Sequence, residues 1–523
     1  MSSQPYVYRS ANEKPKNRET LRDWIESTNN YRMYIFAFAI MFILAGSYVI
    51  SASDKLGIIV VAGAMGIAMV LSILARPFLG MYILTVFTYT NLSTVLNEAF
   101  GVPSVNKILV VLILVAVMGT RILLQRKPLI FRSTEGAIML YVIVTTVSAV
   151  ISTGLDEETM KNVLDIVKDF ILIFIIVQLS VEEHSWKYSQ WILIGSAVGL
   201  SLLTWFQFTT GSYDMDFFGL ATSRTDSVQG DTSAYIDFHR VGGPVGDPNF
   251  YAQMLVMVLP LAVYRFLTDP SKFARMLGGL AVVIIGGAII FTYSRATLMV
   301  MIAVIGMILV ERRVPIWKIA IGGSLVFVLV FPLLPTSFKA RMLTIVGLDT
   351  SSKEQEDVSA QGRLSELLVA IEMFKEYPVY GIGFAQYEVN YQNYSAFIGL
   401  DQRIENRQAH NLYLEIAGET GMIGLATFTI MILFVFRAGY YARITLNKLG
   451  RYDLIPWLAA VNFGVGAYML NSIFLHDDYF RFFWLAVAFA VGASAMAEAL
   501  KEEALERQNK PALSISTYGP LEH

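Results

Sequence analysis

The sequence predicts an all-α integral membrane protein with about 14 transmembrane helices, within a range of about 12–14. Apolar residues make up 55% of the chain and charged residues only 16%, and the mean hydropathy is +0.53. Soluble domains carry about 25% charged residues. Apolar runs close to the length of about 20 residues that a spanning helix needs recur along the chain. A soluble multidomain protein is therefore excluded.

The apolar runs divide the chain into a membrane domain in two parts, residues 32–335 and 410–500. Residues 1–31 are polar and basic and read as a cytoplasmic tail. Residues 501–523 read as a second cytoplasmic tail with a cloning scar, Leu521-Glu522-His523, at its end. We expect no cleaved signal peptide, because the first apolar run is long enough to remain as an anchor. The candidate spans are 33–50, 56–75, 78–96, 103–120, 137–151, 163–179, 188–208, 249–266, 276–291, 296–310, 314–334, 411–436, 455–474 and 482–497.

Lysine and arginine in the short loops predict the orientation, because these residues favour the cytoplasmic side. With the N-terminus inside, the basic loops at 121–132, 265–275, 312–313 and 437–451 all fall inside. The two long polar intervals then fall outside. These are the loop 209–247 and the large periplasmic loop 336–409. Leu364, Leu367, Leu368, Ile371 and Phe374 recur there at helical spacing, which predicts an amphipathic helix with Arg363 and Glu366 off its apolar stripe.

Two arginines stand near the predicted outer surface. Arg240 lies just before Asp247-Pro248-Asn249, where Asp247 is a good N-cap and Pro248 suits the first helical position. Such a helix start attracts anions, although a loop arginine beside an ordinary cap is the simpler interpretation. Arg295 lies between two apolar runs with almost no loop, which indicates a functional guanidinium at membrane depth or one that extends to the interface.

His410 opens the next apolar run and should lie on the first turn of a spanning helix. A histidine moves protons near neutral pH, and an interfacial imidazole that only hydrogen-bonds a neighbour is the alternative. Glu415 and Glu419 follow just inside the apolar region, where a carboxylate needs a partner such as His410 or an arginine. Three glycines at a spacing of three predict close helix packing, and the loop with His476 reads as a solvated turn. The glycines are Gly418, Gly421 and Gly424.

Several of these short motifs, in this order, resemble those of the O-antigen ligase and Wzy-type polymerase superfamily of bacterial envelope glycosyltransferases. They are Arg240 with Asp247-Pro248-Asn249, Ser294-Arg295, Gly362-Arg363-Leu364, Tyr377-Pro378 with Gly381-Ile-Gly383, and His410-Asn411 with Gly418-Glu419-Thr420-Gly421. The resemblance is strongest over residues 240–424. The first seven spans match only in hydropathy, and the chain is longer than expected for a ligase.

The resemblance implies a GT-C-like enzyme of the bacterial inner membrane whose active site faces the periplasm. It would move a glycan from a polyprenyl diphosphate to an acceptor hydroxyl, inverting the anomeric centre without cofactor or metal. His410 would be the catalytic base and Arg240 and Arg295 the donor diphosphate ligands. Supporting roles would fall to Asp247, Asn249, Arg363, Asn411, Glu415 and Glu419.

The absence of cysteines and the scatter of five histidines fit chemistry without a metal. Expected partners are a polyprenyl-diphosphate-linked glycan donor, a glycan or lipid-linked acceptor, membrane lipids, a chain-length regulator and a flippase. Nothing indicates nucleic acid.

Three functions remain open from the sequence. We favour a polymerase of exopolysaccharide or O-antigen repeat units, because the long outer loop has room for a growing polymer. A ligase that transfers polymer to the lipid A core of lipopolysaccharide requires the same chemistry. A transporter or flippase also has many spans, but carriers usually place binding charges near the midplane, whereas the charges here crowd the predicted outer surface.

Overall fold

The computed structural model describes residues 66–153, 157–229, 235–330, 353–399, 405–476 and 480–509. The chain divides into two units, Met1–Ser72 and Ile73–His523. Of the first unit only the beginning of a short apolar helix, Gly66–Ala75, is described. The predicted tail 1–31, the candidate span 33–50 and the first half of the candidate span 56–75 lie outside the described residues. All elements discussed below belong to the second unit.

The described part of the second unit is mostly helical. Its helices are α1 Pro77–Tyr89, α2 Leu92–Phe100, α3 Val105–Met118, α4 Ser133–Thr153, α5 Glu157–Leu179, α6 Glu183–Thr210, α7 Pro248–Thr268, α8 Lys272–Phe291, α9 Arg295–Glu311, α10 Ile316–Val330, α11 Lys353–Glu376, α12 Tyr387–Ile398, α13 Leu412–Lys448, α14 Ile455–Asn471 and α15 Phe480–Asn509. A π-helical turn, Gly119–Leu124, extends α3. A 3-10 turn, Phe217–Gly219, follows α6.

Among the described residues, seven helices are long and apolar enough to cross a membrane, or eight when a bent pair is counted as one span. They support an all-α, multi-pass membrane protein. The predicted total of about 14 spans is not reached within this part of the chain. Helix α15 also continues into the predicted tail 501–523, as far as Asn509.

The first correction concerns the predicted run 78–96, which is not one continuous helix. Helices α1 and α2 meet at an angle of 66°. Asn91 between them has a positive φ of 55°, a conformation that asparagine tolerates better than most residues. Its side-chain amide donates to the carbonyl of Pro244 (2.9 Å) and accepts from Arg481 (3.0 Å). Asn91 therefore ties the break to two distant segments.

The second correction concerns the polar interval 209–247, which contains β-structure in an otherwise helical chain. Strands β1, Thr222–Gln229, and β2, Tyr235–Gly243, form an antiparallel pair. Arg240 lies on β2, opposite Arg224. The hairpin thus places Arg240 next to the start of α7.

Helix α7 is the centre of the bundle, because 89% of its most apolar stretch is buried. It packs mainly on α8 and α14. Asp247 caps it by accepting hydrogen bonds from the backbone N–H groups of Asn249 (2.7 Å) and Phe250 (3.2 Å), with Pro248 at the first helical position. The predicted helix start is confirmed. A cap of this kind contributes about 1 kcal/mol.

Helix α13 is interrupted at Gly421, whose φ of 63° and ψ of −162° are not helical. The predicted packing of three glycines on one regular helix face is therefore wrong. The segment 378–383 fills the break with backbone hydrogen bonds. They run from Ile382 N to Gly418 O (3.0 Å), Gly383 N to Glu419 O (2.8 Å), Met422 N to Pro378 O (2.8 Å) and Ile423 N to Val379 O (3.2 Å). Backbone groups freed at membrane depth need such partners.

Candidate functional site

His410 lies just before α13, in a left-handed backbone conformation with φ 46°. It is not on the first helical turn, as the sequence suggested, because Asn411 is the N-cap and the helix begins at Leu412. Asn411 accepts hydrogen bonds from the backbone N–H groups of Tyr413 (3.1 Å) and Leu414 (3.0 Å). Its side-chain amide donates to Ile473 O (3.0 Å). The cap and this contact fix the backbone at Asn411, and therefore also the position of the neighbouring His410.

The imidazole Nδ1 of His410 faces two oxygen acceptors. It lies 3.2 Å from the carbonyl oxygen of Gln408 and 3.2 Å from Oε2 of Glu366. A carbonyl and a carboxylate both only accept hydrogen bonds. Nδ1 therefore carries the proton in the neutral ring, which leaves Nε2 as the basic nitrogen.

Glu366 is wholly buried, although the sequence placed it off the buried stripe of its helix. The helix α11 is present, but Glu366, Val369, Ala370 and Met373 form its buried face, while Leu364 is 49% exposed. Oε1 of Glu366 accepts from Nε of Arg407 at 2.6 Å. A buried carboxylate requires such a partner. The pair explains why a charge occupies the interior side of α11.

Arg407 contacts this carboxylate directly, and Arg363 interacts with it electrostatically. Desolvation lowers the pKa of Arg363 from the ordinary arginine value, the charges of Arg295 and Arg407 lower it further, and Glu366 opposes them. Arg295 begins α9, and Arg363 lies on α11. Arg363 thus interacts electrostatically with Arg295, Arg407 and Glu366, and Glu366 in turn contacts Arg407 and His410. Clustered guanidinium groups suit oxyanions such as phosphate.

Arg240 is only 4% exposed. Its Nε donates to Thr292 O (2.9 Å) and its NH2 to Oδ1 of Asn249 (3.0 Å). Thr292 lies three residues before Arg295, so Arg240 connects β2 and the start of α7 to the turn that carries Arg295. Arg240 is thus better placed to hold this turn than to bind a ligand with its whole guanidinium. Asp247, besides capping α7, pairs with Arg224 at 3.2 Å.

The carboxylates of Glu415 and Glu419 are buried, 7% and 6% exposed. The sequence suggested His410 or an arginine as their partner, and for Glu419 the structure shows a different one. Glu419 accepts hydrogen bonds from the backbone N–H groups of Ala385 and Tyr387, both at 2.9 Å. It therefore holds the first turn of α12 against α13.

His476 corrects another expectation, because it is 5% exposed rather than part of a solvated turn. Its ring lies 5.0 Å from the ring of His410 and 4.8 Å from that of Phe250. Phe250 is one residue from Asn249, the partner of Arg240. Contacts therefore run from Arg240 through Asn249 and Phe250 to His476 and His410. Arg240 also bonds the turn before Arg295. The three residues predicted from the sequence, Arg240, Arg295 and His410, thus lie around one end of the bundle. The neighbouring residues 477–479 lie outside the described residues.

Sequence reasoning missed Glu366, Arg407 and His476. For Glu366 one signal was present: it lies one helical turn before Ala370 and two before Met373, on a second face of α11 that is small and apolar. For Arg407 the signal was its position three residues before His410. Nothing in the sequence indicated His476 as a neighbour of His410. Among the described residues, no cluster of three or more metal-binding side chains occurs.

Residues 280–429 match the family model Wzy_C, described as O-antigen ligase. This range includes Arg295, Glu366, Arg407 and His410 and excludes Arg240 and His476. A search of curated proteins found no significant match.

The family supports a glycosyltransferase-type membrane enzyme, ligase or polymerase, that acts on lipid-linked glycans in O-antigen processing. Together with the apolar helices, it indicates a multi-pass bacterial membrane protein. The match over residues 280–429 therefore confirms the resemblance of this chain to the O-antigen ligase and Wzy superfamily.

Proposed function

We propose that the protein is an inverting, metal-independent glycosyltransferase that moves a glycan from a polyprenyl diphosphate to an acceptor sugar hydroxyl. The reaction takes place on the periplasmic face of the bacterial inner membrane. We favour a polymerase of exopolysaccharide or O-antigen repeat units, with transfer to the lipid A core as the alternative. The observation that supports it best is the contact between His410 and the buried Glu366, 3.2 Å apart, beside Arg407 and Arg363.

His410 acts as the general base in this proposal. With Nδ1 held against Gln408 O and Glu366, Nε2 accepts the proton of the acceptor hydroxyl as its oxygen attacks the anomeric carbon. A positioned base contributes about 10²- to 10⁴-fold to the rate. The carboxylate of Glu366 stabilises the imidazolium that forms, as the carboxylate does in Ser-His-Asp triads.

The arginines bind the diphosphate of the donor in this proposal and stabilise its charge. The bond between the anomeric carbon and the diphosphate oxygen breaks as the new bond forms, so negative charge grows on the leaving group. Arg295 and Arg363 supply fixed positive charge, and Arg240 holds the Arg295 turn and adds to the field at the donor. Attack from the face opposite the diphosphate inverts the anomeric centre in one step without a covalent glycosyl-enzyme.

Replacing His410 with alanine tests the proposal. Purified protein is incubated with lipid-linked repeat units, with and without a lipid A core acceptor, and products are separated by chain length. We expect His410→Ala to lose at least about 10²-fold in transfer rate. The matched control, His184→Ala, removes an exposed histidine that stacks on Tyr188 at the start of α6 and should keep full activity. An undiminished rate in His410→Ala contradicts the mechanism.

The acceptor separates polymerase from ligase. A polymerase lengthens chains from lipid-linked units alone, and cells without it accumulate single repeat units on lipid. A ligase requires the core acceptor, and cells without it accumulate full-length chains on lipid. Product only in the presence of core would replace the favoured activity with the alternative.

A further inference from the structure

A polar cavity of about 320 Å³ lies beside the start of α13, separate from the imidazole of His410. Residues of α4, α5, α13 and α15 and the segment 384–388 line it. Its volume is within the range of about 300–1,000 Å³ that is typical of ligand pockets. Two cationic side chains, Lys168 and Arg481, face five carboxylates there. The carboxylates are Asp165, Asp169, Glu388, Glu415 and Glu419.

Asp169 is the side chain that most clearly indicates a ligand. It is only 7% exposed, and among the described residues the positive charges of Lys168 and Arg481 act on it without a hydrogen bond to its carboxylate. The other carboxylates differ: Asp165 pairs with Lys168 at 2.5 Å, and Glu419 accepts two backbone N–H groups. A buried carboxylate without a hydrogen bond is costly, so a donor from a bound molecule would relieve it.

The polar space continues past Asp169 into the bundle. A second cavity, of about 50 Å³, shares Lys168, Asp169 and Arg481 with the first as lining residues. Thr88 lines its inner part, is 2% exposed, and its hydroxyl has no hydrogen-bond partner in the described structure. Asp169 and Thr88 thus both line the smaller cavity, and neither side chain has a hydrogen-bond partner among the described residues.

We propose that this cavity binds the acceptor glycan, specifically sugar residues that carry no negative charge. The proposal rests on the glycosyltransferase function proposed above. Carboxylates accept hydrogen bonds from sugar hydroxyls, and the carboxylates of the lining therefore suit a neutral sugar. The excess of carboxylates repels uronic acids, phosphates and the donor diphosphate. The acidic cavity and the arginine cluster therefore separate acceptor from donor by charge.

The position of the cavity fits delivery of a hydroxyl to His410. Gln408 and Leu412 both line it. Each is two residues from His410, so at most about 7 Å of backbone separates them from it. Glu388 in the lining accepts a hydrogen bond from Gln408, whose carbonyl in turn contacts Nδ1 of His410. A sugar seated among these residues has its outer end next to the imidazole.

Binding of a sugar without turnover tests the proposal directly. The probe is the oligosaccharide released by mild acid from the lipid-linked repeat units of the source bacterium. Saturation-transfer NMR measures its binding to the purified full-length protein in detergent. Asp169→Asn removes the buried charge at constant size, and Asn162→Trp fills the cavity from a half-buried position. Lys161→Trp is the matched control, because Lys161 is the exposed neighbour and does not line the cavity.

We expect the wild type and Lys161→Trp to bind the oligosaccharide equally. Asp169→Asn and Asn162→Trp should bind at least about tenfold more weakly, the effect of losing a hydrogen bond to a charged group. Full binding by both variants, or no binding by the wild type, overturns the proposal.

The chemistry of the natural acceptor gives a second test. If the acceptor sugar in the source bacterium is a uronic acid or carries phosphate, the proposal is wrong. Failure of the glycosyltransferase function shows separately, as no transfer from lipid-linked repeat units by the purified wild type.

Discussion

Replacing Glu366 with glutamine tests the site most sharply, because it changes charge but hardly changes size. The carboxylate is fully buried, with Oε1 2.6 Å from Nε of Arg407 and Oε2 3.2 Å from Nδ1 of His410. Glutamine offers one acceptor oxygen and an NH2 group that faces a donor on one side or the other. If His410 is the base, the substitution removes the charge that stabilises its imidazolium in the transition state.

The size of the effect follows from the distance between the two charges. At 3.2 Å, a carboxylate and an imidazolium attract by about 1.3 kcal/mol in water and about 5 kcal/mol at an effective dielectric constant of about 20. His410 is 29% exposed and Glu366 not at all, so the value lies between these limits. Each 1.36 kcal/mol changes a rate about tenfold, and we expect kcat to fall by about 10²-fold.

The assay is transfer from lipid-linked repeat units at varied donor concentration. A positioning role predicts that kcat falls while the donor KM stays within about twofold, because the lost interaction forms only in the transition state. Glu366→Asp keeps the charge and should recover part of kcat. Arg407→Met is the companion variant: it leaves the buried carboxylate without its cation and should lower thermal stability more than Glu366→Gln does. An unchanged kcat in folded Glu366→Gln refutes the reasoning.

Three further predictions concern anion binding, the backbone break and the helix cap. Inorganic pyrophosphate should bind the folded wild type and raise its Tm, and the increase should be smaller at high salt. Arg363→Met should lose most of this increase, because the anion relieves the repulsion among the arginines. An equal increase in both proteins contradicts a diphosphate site here. Gly421→Ala should lower Tm and activity together. The backbone conformation at Gly421 costs alanine about 1–3 kcal/mol, and the new Cβ would lie 2.4 Å from the carbonyl carbon of Val379. The control Gly306→Ala adds a Cβ in open space on α9 and should change neither Tm nor activity. Asp247→Ala should cost about 1 kcal/mol in unfolding measurements through the lost cap, and no loss of stability would remove the structural role of its two hydrogen bonds.

Local chemistry explains which parts of the site could be predicted from the sequence. Asp247 followed by Pro248 specifies a helix start through its own side chain and ring, so the cap was predictable and is present. Arg295 between two apolar runs had little freedom, and the structure places it at the first position of α9. Each conclusion needed only neighbouring residues.

The features that the sequence did not reveal depend on distant partners. Glu366 is buried because Arg407, 41 positions away, neutralises it. The apolar stripe of α11 alone assigned that carboxylate to the outside. The break at Gly421 is stable because the segment 378–383 satisfies its backbone groups. Asn91 breaks its run in the same way, with partners at Pro244 and Arg481.

The break at Gly421 also attaches the polar segment that carries α11 to the apolar helix α13. Segment 378–383 is bonded to the backbone at the break, and it is continuous with α11, which presents Glu366 to His410. Glu419, two residues before Gly421, accepts hydrogen bonds from the backbone N–H groups of Ala385 and Tyr387 and so holds the start of α12. A regular helix at Gly421 would leave its carbonyl groups bonded within the helix and remove this attachment. The irregular turn therefore helps to position the buried carboxylate that contacts the His410 imidazole, which is why Gly421, although it has no side chain to touch a substrate, should control the rate if His410 is the base.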